Sequence, residues 1–151
     1  MVRVRPALPA ELARFTSFER AEDAAPFVNT YTPAEHARMH ARDGVTYLSI
    51  ERAGELDGFV LLVLDPDGES VELPRIVVVE KDRGTGQAAL AAAELFCASE
   101  LGRRRIWLDV APQNARAKHI YRELGYVPFE APPGADPDIE FLENRIVLSA
   151  P

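Results

Sequence analysis

A chain of 151 residues, 47% hydrophobic and 27% charged, has one domain's length and the composition of an ordinary globular protein. Both exclude intrinsic disorder and any need for disulfides or metal to hold a core. Acidic residues outnumber basic ones 24 to 17, a net charge of −7, which argues against a protein built to grip nucleic acid and fits a cationic partner better.

One cysteine, Cys97, leaves no disulfide framework and no cysteine-based metal cluster, and His36, His40 and His119 are the only histidines; no metal is expected. Pro6, Pro9, Glu11 and Arg14 interrupt the early apolar run that a secretory leader needs. The longest apolar stretch, Phe59 to Leu64, is far short of the ~20 residues that span a bilayer. The expectation is a cytoplasmic protein with no membrane partner.

In chain order, Val2 to Arg5 alternates as a short strand, and Pro9 opens a helix through about Phe18. Glu22 to Thr30 reads as irregular. Thr32, Pro33 and Glu35 form an N-cap, a first-turn proline and a capping-box glutamate, so a second helix runs to about Asp43 and stops at Gly44. Thr46 to Arg52, Leu56 to Leu64 and Ser70 to Val79 are strands, separated by turns at Ala53-Gly54 and Asp65-Pro66-Asp67-Gly68. Together they make an antiparallel meander. The period then changes. From Thr85 to Gly102 a helix carries Leu90, Ala93, Cys97 and Leu101 on one stripe, widened by Leu95 and Phe96. Arg105 to Val110 is a strand, Asn114 to Leu124 a helix closed by Gly125, Tyr126 to Glu130 an extended segment, Ala131 to Pro137 a loop, and Phe141 to Leu148 a last strand. The order β-α-α-β-β-β-α-β-α-β-β predicts one α/β (α+β) domain over residues 1–151 around a mixed sheet.

Two segments carry chemistry. In the first, a buried strand, Val77-Val78-Val79, runs through Lys81 and Arg83 into Gly84-Thr85-Gly86-Gln87-Ala88 and a long helix. Such a turn aims several N–H groups at one spot beside the positive end of the helix dipole, a site suited to a pyrophosphate. No Lys-Ser or Lys-Thr follows the glycines, so this is not a P-loop, and Ala89 stands where a dinucleotide fingerprint would place its third glycine. By itself the turn reads first as a plain tight connection, with ligand binding as the alternative. In the second segment Asn114 is a good N-cap, and Ala117, Ile120, Tyr121 and Leu124 share one helical face before Gly125-Tyr126. By spacing, Tyr121 reads as a core aromatic, Asn114 as a cap and Gly125 as a C-cap, with a binding role as the alternative.

Taken together, the two segments resemble the signatures of the GCN-five-related N-acetyltransferase (GNAT) superfamily, and specifically its Rim-type branch. Gly84-Thr85-Gly86 with Leu90 resembles that family's acetyl-CoA pyrophosphate loop. Asn114-x-x-Ala117-x-x-x-Tyr121-x-x-x-Gly125-Tyr126 resembles its other signature, and Glu72 to Val77 the strand before the loop. The resemblance implies acetyl-CoA as co-substrate. Its pyrophosphate would lie against backbone N–H groups from Arg83 through Gly84, Thr85, Gly86 and Gln87 to Ala88. Lys81 stands at the family's Gln/Arg position; a shifted register would instead use Arg83, Gly86 and Ala88. The pantetheine arm would pair along Val77, Val78 and Val79, with a main-chain N–H near Val78 for the oxyanion. Asn114, Ala117, Lys118 and Tyr121 would border the cofactor, Tyr121 near its sulfur.

The implied reaction is direct attack of a primary amine, on a protein N-terminus or a small molecule, in a ternary complex. Glu72 is the candidate general base, with an exposed, salt-bridged strand glutamate as the alternative. Tyr121 is the candidate acid for the departing thiolate, since a phenol of pKa ~10 stays protonated at neutral pH. Cys97 reads as core, and Asp109 as a strand-end cap or a second carboxylate. His36 and His40, four apart, read as a solvated helix face, and His119 as exposed. Homodimers are common in the family. The rival readings are an acyl-CoA-binding or regulatory module without transfer, and a nucleotide site at the same loop.

Overall fold

The computed structural model describes residues 1–21, 30–80 and 83–146. The elements are β1 (Val2–Pro6), a 3-10 turn (Pro9–Glu11), α1 (Leu12–Glu19), α2 (Pro33–His40), β2 (Val45–Arg52), β3 (Glu55–Leu64), β4 (Ser70–Val78), α3 (Thr85–Ser99), β5 (Arg105–Val110), α4 (Ala115–Glu123), β6 (Val127–Pro128) and β7 (Glu140–Arg145). They build one seven-stranded sheet in the order β1-β2-β3-β4-β5-β7-β6. The predicted order of strands and helices is the observed one. The expected irregular segment from Glu22 falls largely outside the described residues, as do Val147 and Leu148 of the expected last strand.

The meander β1 to β4 is antiparallel throughout; only β4 and β5 run parallel, because α3 carries the chain across one face between them. Hydrophobic side chains pack on both faces of the sheet. On the α3 face, Leu48, Ile50, Val60, Leu62, Val71 and Leu73 meet Leu90, Ala93 and Cys97, with Ile106, Leu108 and Leu142 from the far strands. On the α1–α2 face, Phe15 stacks on Phe59 with ring centroids 4.5 Å apart, beside Tyr47, Leu61 and Val77. Burying each such side chain contributes roughly 1.5–3 kcal/mol.

Several local expectations shift. The first helix divides into a 3-10 turn and α1, and α2 ends at His40, three residues early. Leu95, placed on the apolar stripe of α3, is exposed: three residues beyond Ala92, it falls past the edge of the arc that faces the sheet. His36, expected on a solvated face, is wholly buried. Its companion His40 is only partly covered, and His119 is exposed as expected. The capping box of α2 forms as written, with Thr32 Oγ1 accepting from the Glu35 N–H at 3.1 Å and Glu35 Oε1 accepting from the Thr32 N–H at 3.0 Å.

Two irregularities interrupt the regular pairing of the meander. In β3 the register against β2 shifts so that Asp57 is the extra residue between Leu56 and Gly58. In β4 the register against β3 passes from Leu61↔Arg75 to Val63↔Glu72, so two residues, Leu73 and Pro74, stand against one. Both are β-bulges, which bend a strand and re-aim its side chains.

Gly58 sits at φ +156°, where an added Cβ would lie 2.0 Å from the Val77 carbonyl oxygen. Gly58→Ala is therefore expected to cost about 3 kcal/mol or more, read as a lowered midpoint in urea unfolding. The two-residue turn Ala53-Gly54 has positive φ at both positions, 53° and 82°, as a type I′ turn requires. Asparagine tolerates that geometry better than alanine, so Ala53→Asn is expected to stabilise by about 0.5–1 kcal/mol in the same measurement.

Candidate active site

The sheet opens where β4 and β5 part. Their parallel pairing covers only Ser70↔Arg105, Val71↔Ile106 and Glu72↔Trp107, although β4 continues to Val78 and β5 to Val110. The bulge at Leu73–Pro74 begins at the parting point, and proline has no N–H to give a neighbouring strand. Beyond Glu72 the β4 edge facing β5 therefore carries no strand partner among the described residues, a backbone row open to an extended ligand.

At the end of that edge β4 passes into α3. Asp57 fixes the exit: its carbonyl accepts the Val79 N–H at 2.7 Å and its carboxylate accepts the Glu80 N–H at 3.3 Å. Of the three valines expected to meet a pantetheine arm, Val79 thus has its N–H already engaged. α2 and α4 are capped by the side chains of Thr32 and Asn114, whereas α3 begins at Gly84, in the left-handed region with φ 71°, and has no side-chain cap. The first N–H groups of a helix have no partner within it. Those of Thr85, Gly86 and Gln87 are left for something outside the helix; the Ala88 N–H already donates to the Gly84 carbonyl at 3.1 Å. Thr85 is buried, and its hydroxyl has no hydrogen-bond partner among the described residues. An added Cβ on Gly86 would lie 3.8 Å from a Val78 methyl, so strand and helix start are close neighbours. Aligned N–H groups, a spare hydroxyl and the helix dipole suit a phosphate.

The charges expected here are more engaged than the sequence suggests. Arg83 pairs with Glu80 at 3.2 Å, and Glu80 is also held by Arg52. Lys81 lies outside the described residues. On α4, Asn114 Oδ1 caps the Ala117 N–H at 3.2 Å, and Ala117 packs on the core. The Lys118 ammonium turns to the Pro112 carbonyl at 3.2 Å and to Glu140 at 3.5 Å.

The candidate catalytic groups come from three elements: Glu72 from β4, Asp109 from β5 and Tyr121 from α4. Glu72 is half-buried, and its carboxylate has no hydrogen bond or ion pair among the described residues, so the salt-bridged alternative does not occur. Burial raises its pKa, and the nearby Asp109 and Asp65 carboxylates raise it further. Asp109 keeps solvent contact at the end of β5 but is crowded on one side by protein, which raises its pKa as well. Strand register puts Glu72, Trp107 and Asp109 on one face, with Glu143 of β7 opposite Trp107. Tyr121 packs its ring against the core, 5.6 Å from Tyr126, and burial with the Asp109 charge pushes its phenol up to about 12. The core-aromatic and functional readings of Tyr121 are therefore compatible. Cys97 is buried core, its thiol likewise pushed up to about 12 by burial, far from a nucleophile's range.

A buried polar cluster under α1 and α2 was missed by sequence reasoning. Glu19 is wholly buried; it pairs with Arg75 and accepts from His36 Nε2 at 2.5 Å and from the Tyr31 N–H at 3.2 Å. His36 Nδ1 meets the Tyr47 hydroxyl at 2.7 Å. The signal was present: Leu12, Phe15, Thr16 and Glu19 follow one helical stripe, so Glu19 stands where an apolar residue belongs. Asp57 left no comparable trace, because its role comes from the bulge. Among the described residues no group of histidine, cysteine and acidic side chains could hold a metal ion, and no helix is long and apolar enough to cross a membrane.

A family model described as the acetyltransferase (GNAT) family matches residues 12–126. An uncharacterised N-acetyltransferase of Mycobacterium bovis is 32% identical over 80 residues, 52% of this chain and 51% of that protein. The chain thus spans about half the length of the curated relatives it matches. Among solved structures, the fold is similar to an acetyltransferase of the GNAT family from Streptococcus pneumoniae, with a TM-score of 0.74 and 21% identity over 97% of this chain and 100% of that one. It is similar also to a spermidine N-acetyltransferase from Vibrio cholerae in complex with CoA and spermine, with a TM-score of 0.80 and 18% identity over 96% and 95%.

The raised carboxyl at Glu72 has a stability consequence. A carboxyl whose folded pKa exceeds its unfolded value, about 4.3, binds its proton more tightly when folded. It therefore costs stability as pH rises through that interval and above it. Glu72→Gln is expected to raise Tm at neutral pH and to lose that advantage near pH 4; a variant less stable than the parent at neutral pH would contradict this.

Proposed function

Because the chain belongs to the acetyltransferase (GNAT) family, we propose that residues 1–151 form one acetyl-CoA-dependent N-acetyltransferase domain of the Rim-type branch. It works in the cytoplasm and transfers acetyl to a primary amine on a protein N-terminus or a small molecule. The observation that carries this reading is the unpaired β4 edge leading from Glu72 to the uncapped start of α3. An extended arm with peptide-like amides and a phosphorylated end fits both parts. The open edge runs along Val77 and Val78, and the phosphates would meet the N–H groups of Thr85, Gly86 and Gln87 and the Thr85 hydroxyl, with Lys81 and Arg83 adding charge. Asn114 and Ala117 border the arm from α4. Acetyl-CoA supplies the activated thioester; the chain supplies position and proton transfer.

An amine arrives as an ammonium and must lose a proton before it attacks. Glu72, with its pKa raised and no ion-pair partner among the described residues, takes that proton directly or through water. The amine nitrogen then bonds to the thioester carbonyl carbon, whose oxygen is held by a main-chain N–H near Val78. The carbon–sulfur bond breaks, Tyr121, protonated throughout the physiological range, donates its proton to the departing sulfur, and the extra proton left on the acetylated nitrogen passes to the Tyr121 phenolate or to water. The acidic face of Asp65, Glu72 and Asp109 favours a cationic acceptor, in keeping with the net charge of −7.

The test is release of free thiol from acetyl-CoA against a panel of small amines and N-terminal peptides, with acetyl-CoA binding followed by titration calorimetry. Tyr121→Phe is expected to lower kcat by about 10²–10⁴-fold with little change in acetyl-CoA affinity, and Glu72→Gln by a similar factor with loss of the acid limb of the pH profile. If both variants turned over at the parent rate, the assignment of roles would fail; acetyl-CoA binding with no thiol release from any amine would point to a binding module instead.

A further inference from the structure

Glu72 and Arg75 are three positions apart, and in a regular strand they would face opposite sides of the sheet. The bulge at Leu73–Pro74 changes that. Val63 and Leu61 of β3 lie on one face, and they stand opposite Glu72 and Arg75 respectively. Arg75, the only cation on β4, is thereby turned onto the face that carries Glu72. The bulge fits three residues into about two strand rises, roughly 7 Å, a distance that an arginine side chain covers.

The other groups around Glu72 are acidic or already engaged. Asp109 faces it from β5 and Asp65 from the end of β3. Asp65 itself accepts from Trp107 Nε1 at 2.6 Å. Glu143 of β7 shares the row through Trp107 and is paired with Arg105 at 2.9 Å, which also reaches the Ser70 hydroxyl at 3.2 Å. Tyr121 approaches from α4 within the field of Asp109. On the α1–α2 side Glu19 holds His36, and the ring of Tyr31 stands just before α2, against His36. Arg75 is drawn to that side: it pairs with Glu19 and lies 3.9 Å from the centre of the Tyr31 ring.

We propose that Glu19 is a positioning residue for the reaction: by binding the Arg75 guanidinium against α1, it keeps the only cation of β4 from neutralising Glu72. The inference rests on the reading of Glu72 as the base. It explains why a bulged strand can carry an arginine and a working carboxylate on one face without the two forming an ion pair. It also gives the wholly buried carboxylate of Glu19 a purpose beyond packing, since a hydrophobic residue at that point of the helix stripe would fill the space at less cost.

The experiment is a carboxyl carbon NMR titration of the full chain with labelled glutamate, in which Glu72→Gln assigns the Glu72 signal. In Glu19→Gln Arg75 loses its carboxylate partner on α1 and turns to Glu72, and the Glu72 midpoint falls by about one pH unit or more. In the double variant Glu19→Gln with Arg75→Met the midpoint returns to the parent value. An unchanged midpoint in Glu19→Gln, or a double variant that stays low, overturns the proposal. Should Glu19→Gln fail to fold, Arg75→Met decides: an unchanged Glu72 midpoint supports the proposal, and a raised one shows that Arg75 already acts on Glu72 and overturns it. The midpoint is read without turnover. A Glu72→Gln enzyme with full activity would therefore defeat the base assignment and leave the control of the Glu72 midpoint by Glu19 intact.

Discussion

Parallel pairing between β4 and β5 lasts for three residue pairs and then stops at Glu72. A sheet that buries both faces loses backbone hydrogen bonds at such a break, so the break must be held open by other interactions. Here the devices are visible: a bulge with Pro74 on β4, the Asp57 bulge of β3 gripping the exit of β4, and α3 anchored on the meander by Leu90, Ala93 and Cys97. The open edge, the uncapped helix start beside it and the carboxylate at its root all depend on that separation. With β4 paired to β5 over its full length, none of them would meet.

The two faces of the sheet divide the work. Apolar packing under α3 fixes where the start of that helix sits beside the β4 edge. The α1–α2 face instead buries charge, in the Glu19, Arg75, His36 and Tyr47 cluster, next to an aromatic stack of Phe15, Phe59 and Tyr47. Buried ion pairs rarely add stability over well-packed hydrophobic residues. Their value here lies in direction, because they decide which carboxylate of the face receives the arginine.

Much of the fold was legible in the chain. The capping box at Thr32, the strand from Arg105 to Val110 and the Asn114 cap read directly, since each depends on neighbours within four residues. The turn at Gly84 and the helix with Tyr121 were legible as a pair of motifs. His36 was misread because its spacing to His40 describes the helix alone, whereas its burial is set by Glu19 and Tyr47, 17 and 11 residues away. The face that Arg75 takes is not legible in the sequence, because alternation along β4 cannot be followed through a bulge.

The sequence by itself determined the order of elements, the glycine turn into α3 and the residue types at Glu72 and Tyr121, because period, capping and turn chemistry are local properties. Tertiary structure alone decided that Glu72 has no ion-pair partner among the described residues, that Arg75 pairs with Glu19, and that Lys118 turns to Glu140. The reason is physical: charge partners are chosen by distance across strands and helices, and a single extra residue in one strand reverses which faces those charges share.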